Sequence, residues 1–295
     1  MKYFFFLISL GSLQAQSLIL SKDNSHVSFG AGTTSYFGEM SPYRTFYKGI
    51  YKTLSSNFNI SYAVDASEHW GNKFDFSVNN LRGDDYQYSK GKNAALFHRN
   101  LHFKNTVWEV AASKMYFFNP TYSHQTRRRP EFLFYGTLGV GVFYHNPKAR
   151  DVYQGSGKLG DWVSLHQVGS AGKNYSLIQP LIPIGFGFRK KISRKLDFKF
   201  EGLYKFTFTD YLDDVSDEPY MIASPSSKLN NRSTEPFDAL HGNNRLPLLA
   251  EYNLQTNNKI IPQVGNRGIR NVLSSVDSFI TSNVSLVYWL DKRIR

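Results

Sequence analysis

Residues 196–210 read LDFKFEGLYKFTFTD, and their alternation decides the fold. Side chains along a strand point alternately to opposite faces. Leu196, Phe198, Phe200, Gly202, Tyr204, Phe206 and Phe208 therefore share one face, while Asp197, Lys199, Glu201, Lys205, Thr207 and Thr209 share the other. A soluble sandwich would put the charged face in water and the aromatic face in its core. An outer-membrane barrel would put the aromatic face against lipid and the charged face in the lumen. The period fits both. Length separates them, because the run exceeds the ~5–6 residues of an ordinary strand and reaches the ~9–11 that cross a bilayer.

Other segments repeat the theme. In FNISYAVDA, Phe58, Ile60, Tyr62 and Val64 alternate with Asn59, Ser61 and Asp65. PEFLFYGTLGVGVFYHN and SLIQPLIPIGFGFRKK are long, aromatic and glycine-bearing. Eight strands are predicted, at 26–37, 44–53, 57–69, 105–118, 131–145, 176–191, 195–210 and 278–290. An even number of antiparallel strands in one closed sheet leaves no unpaired backbone in lipid. The expected fold is thus all-β, a closed eight-stranded antiparallel transmembrane β-barrel. LSSN (54–57), NPTYSHQTRRRP (119–130) and ISR (192–194) are short connections between strands. The intervening ones are polar and mostly longer, and the last spans 211–277 as a long extracellular loop. Short periplasmic turns with long outer loops are the barrel habit, which puts both termini in the periplasm.

The whole chain agrees with this. Its 295 residues allow one large β domain or two ordinary ones. It has no cysteine, which excludes disulfides, zinc–thiolate sites, a cysteine nucleophile and lipid anchoring through an N-terminal Cys. Aromatics make up 16% of the residues, yet mean hydropathy is −0.40. Rings in so polar a chain must be spread in alternation. The opening MKYFFFLISLGSLQAQ has a charged Lys2, an apolar run from Tyr3 to Leu13 and a small Ala15. It reads as a signal peptide over 1–15, leaving 16–295 for the barrel. Its apolar part is shorter than the ~20 residues of a membrane helix, and no later segment approaches that length.

GTLGVGV and GFGF have the look of phosphate loops, but such a loop turns from a strand into a helix. Here the glycines lie inside strands, where they relieve crowding as a small barrel curves. None of the eight histidines forms a metal-spaced pair such as H-E-x-x-H. His69, His98, His102, His145 and His166 are expected near the outer rim, where a Ser–His–carboxylate set is geometrically conceivable. TDYLDDVSDEPY (209–220) concentrates five carboxylates, Asp210, Asp213, Asp214, Asp217 and Glu218. Their spacing does not fit the D-x-[DN]-x-[DN]-G calcium loop. They are expected to form an acidic clasp at the outer rim, with Tyr211 at the interface and neighbouring basic residues such as Arg82 as partners. No cofactor or metal is expected.

The net charge is +12, and the cations gather at the opposite edge. Arg127, Arg128 and Arg129 lie in one short turn, and Arg189, Lys190, Lys191, Arg194 and Lys195 flank another. Lys292, Arg293 and Arg295 end the chain. These residues predict a basic periplasmic collar. It suits outer-membrane lipid headgroups, and equally an acidic periplasmic partner whose encounter the charge would steer. Neither nucleic acid nor a small-molecule substrate is an expected partner.

RNLHFKNTVWEVAASKMYFF, GVGVFYHNPKA, LIPIGFGFRKKIS and TDYLDDVS together, in this order, resemble the PorG-like outer-membrane barrels of the Bacteroidetes type IX (Por) secretion system. TTSYFGEM and LRGDD are similar to that family's start, and the resemblance covers most of residues 26–220. It implies a non-enzymatic eight-stranded barrel contacting a periplasmic ring built from a lipoprotein and its partner subunit. It further implies a part in protein export and, in gliding species, motility. The chain departs from the family in its long last loop and its basic end after Tyr288, Trp289 and Leu290. Two other readings stay open: a rim enzyme acting on surface lipid, and an adhesin or receptor using the 211–277 loop.

Overall fold

A computed structural model describes residues 24–38, 40–41, 51–89, 97, 100–122, 129–151, 159–171, 174–215, 229, 232, 235–238, 240–255 and 276–290. Among these are the strands β1 (Ser25–Phe37), β2 (Ser55–Asp65), β3 (Trp70–Asp84), β4 (His102–Phe117) and β5 (Phe132–Tyr144). After them come β6 (Lys148–Arg150), β7 (Trp162–Ser164), β8 (Ile178–Lys191), β9 (Leu196–Thr207) and β10 (Ser278–Trp289). β3 pairs with β4, and the remaining order β3-β2-β1-β10-β9-β8-β5-β4 closes an eight-stranded antiparallel barrel. The short β6–β7 hairpin extends the sheet off β4, joined through Lys104 opposite Lys148. One end of the barrel carries the short turns; the other carries the long loops. They are called the turn end and the loop end below.

The chain is inverted relative to a soluble fold. Phe29, Phe58, Phe74, Phe76, Trp108, Val110, Phe134, Val140, Val142, Phe186, Phe200 and Leu286 are all exposed, while Lys73, Glu109, Lys199, Glu201 and Lys205 are buried. In β9 the odd-numbered residues from Asp197 to Thr207 point inward and their neighbours outward, as the alternation requires. Trp70 is paired with Tyr116 near the turn end and Val78 with Trp108 towards the loop end. Eight residue steps between these levels, at the usual tilt, give an apolar belt about 20 Å tall, the scale of a lipid-facing band. A closed sheet with an apolar outside and a charged inside is an outer-membrane-type barrel. No described helix is long and apolar enough to cross a membrane.

Eight strands leave an interior just wide enough for side chains. Glycines set how they fit. A Cβ on Gly187 would lie 2.4 Å from the Tyr135 ring, and one on Gly185 would lie 2.0 Å from the Gly202 carbonyl. At the loop end an apolar cluster that includes Tyr36, Met40, Leu81, Phe103, Phe143, Leu212, Val215 and Phe279 stoppers the lumen.

Two strand expectations need correction. The 44–53 segment lies mostly outside the described residues, and Tyr51 and Lys52 form a helical turn. Both edges of β1 are taken, by β2 and β10, so the barrel closes without it. The missing strand is β3, within the 70–104 connection expected between the strands at 57–69 and 105–118; its Lys73, Asp75, Ser77 and Asn79 have the chemistry of a solvated loop. Those residues face the lumen, and Trp70, Phe74, Phe76 and Val78 face outward. The segment expected at 57–69 accordingly ends at Asp65, and LSSN sits at the loop end instead of forming a short turn. One strand lost and one gained keeps the parity of every strand from β4 onward.

Candidate functional site

The lumen is filled by a ladder of paired charges. Lys73 Nζ lies 2.6 Å from Glu201 Oε1 and 3.2 Å from Asp75. The Tyr135 hydroxyl donates to the same Glu201 oxygen at 3.0 Å. Lys205 pairs with Glu109, which also accepts from Ser77 and Asn79. Lys199 donates to the Ser28 and Ser61 hydroxyls at 2.9 and 3.2 Å. A charge held in a low-dielectric interior is stable only with such partners.

At the turn end the predicted collar divides. Arg189 is only 3% exposed and faces inward. It donates to Asp65 at 2.7 Å and is 2.8 Å from His26 Nε2. Arg129 Nη1 donates to both Asp197 oxygens at 2.7 and 2.6 Å, its Nη2 donates to the carbonyls of Ser193 and Arg194, and the guanidinium lies 4.4 Å over the Trp289 ring. The Trp289 indole N–H donates to Asp197 at 2.7 Å. Arg129 and Arg189 are thus committed to acids at the barrel mouth and do not belong to an exposed collar. Lys191 is half-buried in a cleft lined by Asp65, Arg129, Asp197 and Trp289. Lys190 and Lys195 point outward over Phe132 and Tyr288, at 5.3 and 5.9 Å, and Arg194 is exposed in the turn. Arg127, Arg128, Lys292, Arg293 and Arg295 lie outside the described residues.

The acidic cluster at the loop end does bond neighbouring loops, but as a buried group whose partners include hydroxyls. Asp213 and Asp214 are 0% and 2% exposed, and Asp210 is half-buried. The Tyr36 hydroxyl sits 2.7 Å from Asp213 and 2.9 Å from Asp277, and Asp277 also accepts from the Leu212 N–H at 2.8 Å. Asp214 accepts from Ser170 and, at 2.6 Å, from the Tyr175 hydroxyl. Burial lifts the Asp214 carboxyl to about 6, against hydroxyl bonds that pull it down. Tyr211 is half-buried and stacks on Tyr175, with ring centroids 4.5 Å apart. The partners of these acids include hydroxyls from β1 and from the 145–177 connection, and backbone N–H groups of their own loop; Arg82 is exposed on β3. Asp217 and Glu218 lie outside the described residues.

Further along the last loop, Arg232 pairs with Glu235 at 3.1 Å. Arg245 donates to the carbonyls of Phe97, Glu235 and Arg232. Burial lowers Arg245 to about 10 and raises Glu235. Sequence reasoning missed Tyr36, Ser170, Arg232, Arg245 and Asp277, whose bonds span loops distant in the chain. Among the described residues no three of His, Asp and Glu could hold a metal. His69 lies in the β2–β3 turn, at the opposite end from the rim expected for it, bonding the Phe117 carbonyl at 2.8 Å. His102 accepts from the Arg150 N–H, and His166 is 3.1 Å from the Tyr175 carbonyl. His145 is buried between Phe143 and Tyr175, and burial lowers it to about 4. His98 lies outside the described residues.

No family model and no curated protein matches the chain. Among solved structures it is similar to the crystal structure of Neisserial surface protein A (NspA), with 9% identity, 90% of this chain and 97% of that one covered, and a TM-score of 0.39. It is also similar to Ail, the attachment invasion locus protein of Yersinia pestis, at 12% identity, 90% and 96% coverage and a TM-score of 0.35. The same protein in complex with the heparin analogue sucrose octasulfate gives 11% identity, 90% and 96% coverage and a TM-score of 0.36. The fold itself rests on the closed hydrogen-bonded sheet.

Proposed function

We propose that this barrel is a non-enzymatic, non-conducting outer-membrane component of the type IX protein secretion system. In that role its turn end faces the periplasm and docks the ring of lipoprotein and partner subunit, supporting protein export and, in gliding species, motility. The observation that carries the reading is the filled lumen. With charge pairs from Arg129–Asp197 inward to Lys205–Glu109, the working surfaces are the two ends and not a pore. The resemblance of RNLHFKNTVWEVAASKMYFF, GVGVFYHNPKA and TDYLDDVS supplies the system. The exposed cations Lys190, Arg194 and Lys195 supply a surface suited to an acidic partner, and the sequence adds Arg127, Arg128 and a basic chain end.

Charge reversal at Arg127, Arg128, Arg194 and Lys195 is expected to abolish co-purification of the ring proteins in mild detergent, with barrel assembly intact. Reversal at Arg129 or Arg189 is expected to damage the barrel itself. Unchanged co-purification from the exposed-site variant would leave these cations a lipid-binding role alone. In planar bilayers the wild-type barrel is expected to show background conductance.

A further inference from the structure

Above the apolar belt, on the outward face of the sheet, lies a row of cations. Arg82 on β3 is the register partner of Lys104 on β4, and Lys104 is the partner of Lys148 on β6. All three side chains are exposed. Like charges placed directly opposite on neighbouring strands repel one another. Here three stand in succession, and Arg150 lies two residues beyond Lys148 on the same face. No acid among the described residues forms an ion pair with any of the four, and the charges bearing on Lys104 are those of Lys148 and Arg150.

The row is built around Trp162 on β7. Lys104 Nζ sits 3.8 Å from the centroid of that ring and the Arg150 guanidinium 5.0 Å away. The Arg150 fork is held by the Gly160 carbonyl at 2.9 Å, and its backbone N–H by His102. Below the row, Asn80 and Thr106 bond each other at 2.9 Å, and Asn80 bonds Ser56. The outermost apolar level on these strands is Val78 opposite Trp108. From there to Arg82 and Lys104 is four residues, about 13 Å of strand and about 10 Å of height at the usual tilt. That is headgroup depth, where an indole ring is also at home.

We propose that Arg82, Lys104 and Lys148, backed by Arg150 and Trp162, bind the phosphate of a membrane lipid in the leaflet at the loop end. The lipid's chains pack on Val78, Trp108 and Val110 directly beneath, on the same outward face. That continuity with the belt selects a lipid over a soluble anion, which would meet the exposed cations with no apolar wall. The anion sits between like charges and relieves their repulsion. The proposal rests on the barrel's lipid-facing belt and not on the secretion reading, so it stands or falls separately from ring docking.

The test is native mass spectrometry of the refolded full chain in detergent, titrated with diphosphoryl lipid A, its dephosphorylated counterpart, and inorganic pyrophosphate. The wild type is expected to retain diphosphoryl lipid A in preference to the dephosphorylated form. Arg82→Gln/Lys104→Gln/Lys148→Gln is expected to bind the phosphorylated lipid roughly a hundredfold more weakly, at about fivefold per basic side chain. Binding of the dephosphorylated lipid should not differ between the two proteins. If the triple variant does not fold, Lys148→Gln alone, on a hairpin outside the barrel wall, is expected to lose about fivefold. Equal binding of phosphorylated lipid by wild type and variant overturns the proposal. Displacement of the lipid by an equal concentration of pyrophosphate also overturns it, in favour of a soluble anion.

Discussion

At the turn end, the mouth of the barrel is held by guanidinium–carboxylate pairs, Arg129 with Asp197 and Arg189 with Asp65. At the loop end, hydroxyl–carboxylate bonds to Asp213, Asp214 and Asp277 cover an apolar cluster. The partners also differ in where they are mounted. The turn-end groups sit on barrel strands and one short turn, so the sheet itself fixes them. The loop-end groups come from β1, the 145–177 connection and both edges of the last loop. The loop-end seal can therefore loosen without the wall unzipping, whereas the turn-end seal is part of the wall.

The sharpest break would come at the turn end. Asp197→Ala leaves the Arg129 guanidinium with only the Ser193 and Arg194 carbonyls and no counter-charge, and the Trp289 indole N–H without its acceptor. Removing one member of a buried pair costs about 3–5 kcal/mol. We expect a matching drop in the urea stability of the barrel in lipid vesicles, and a loss below about 1 kcal/mol would contradict the role given to this pair.

The next effect depends on pH and belongs to the loop end. Asp214 titrates near 6 in the folded cap, above the ordinary 3.8 of its carboxyl. Between those values the folded state holds more protons than the unfolded one, so stability falls as pH rises. The cap is expected to be tightest below about pH 4 and to weaken through pH 6, by up to about 3 kcal/mol. Hydrogen exchange of the 165–171 and 211–215 amides should report this. Asp214→Asn should flatten the profile, while the amides of β9 stay unchanged throughout.

Tyr36→Phe should have a smaller and equally local effect. It deletes the hydroxyl shared by Asp213 and Asp277, a loss of about 1–2 kcal/mol. Faster exchange is expected at Leu212 to Val215, with the turn end unaffected. Faster exchange at both ends would show that the two seals are coupled.

Much of this was legible in the sequence, because one period governs the wall. β9 reads off directly, since its inward charges and outward rings alternate without a break. β3 did not, because its lumen side carries Gly71, Lys73, Asp75, Ser77 and Asn79, the chemistry of a solvated loop. Arg189 was in principle readable, since it shares parity with the inward-facing Gly185 and Gly187. Treating the flanking cations as one collar hid that. The acids at 210–214 were located at the correct end, but their burial was not foreseeable. It depends on Tyr36, Ser170 and Asp277, which only the closed topology brings to them.

The seam between β1 and β10 has a consequence for how the molecule forms. His26 stands opposite Trp289, their rings 4.6 Å apart, so the first described strand zips onto the last. Contacts between residues this distant in the chain close last and slowly. Until the final strand arrives, the open sheet carries two unsatisfied edges, which hydrocarbon does not tolerate. Insertion and closure must then be one event, and a chain truncated before Ser278 should remain an unclosed, aggregation-prone sheet.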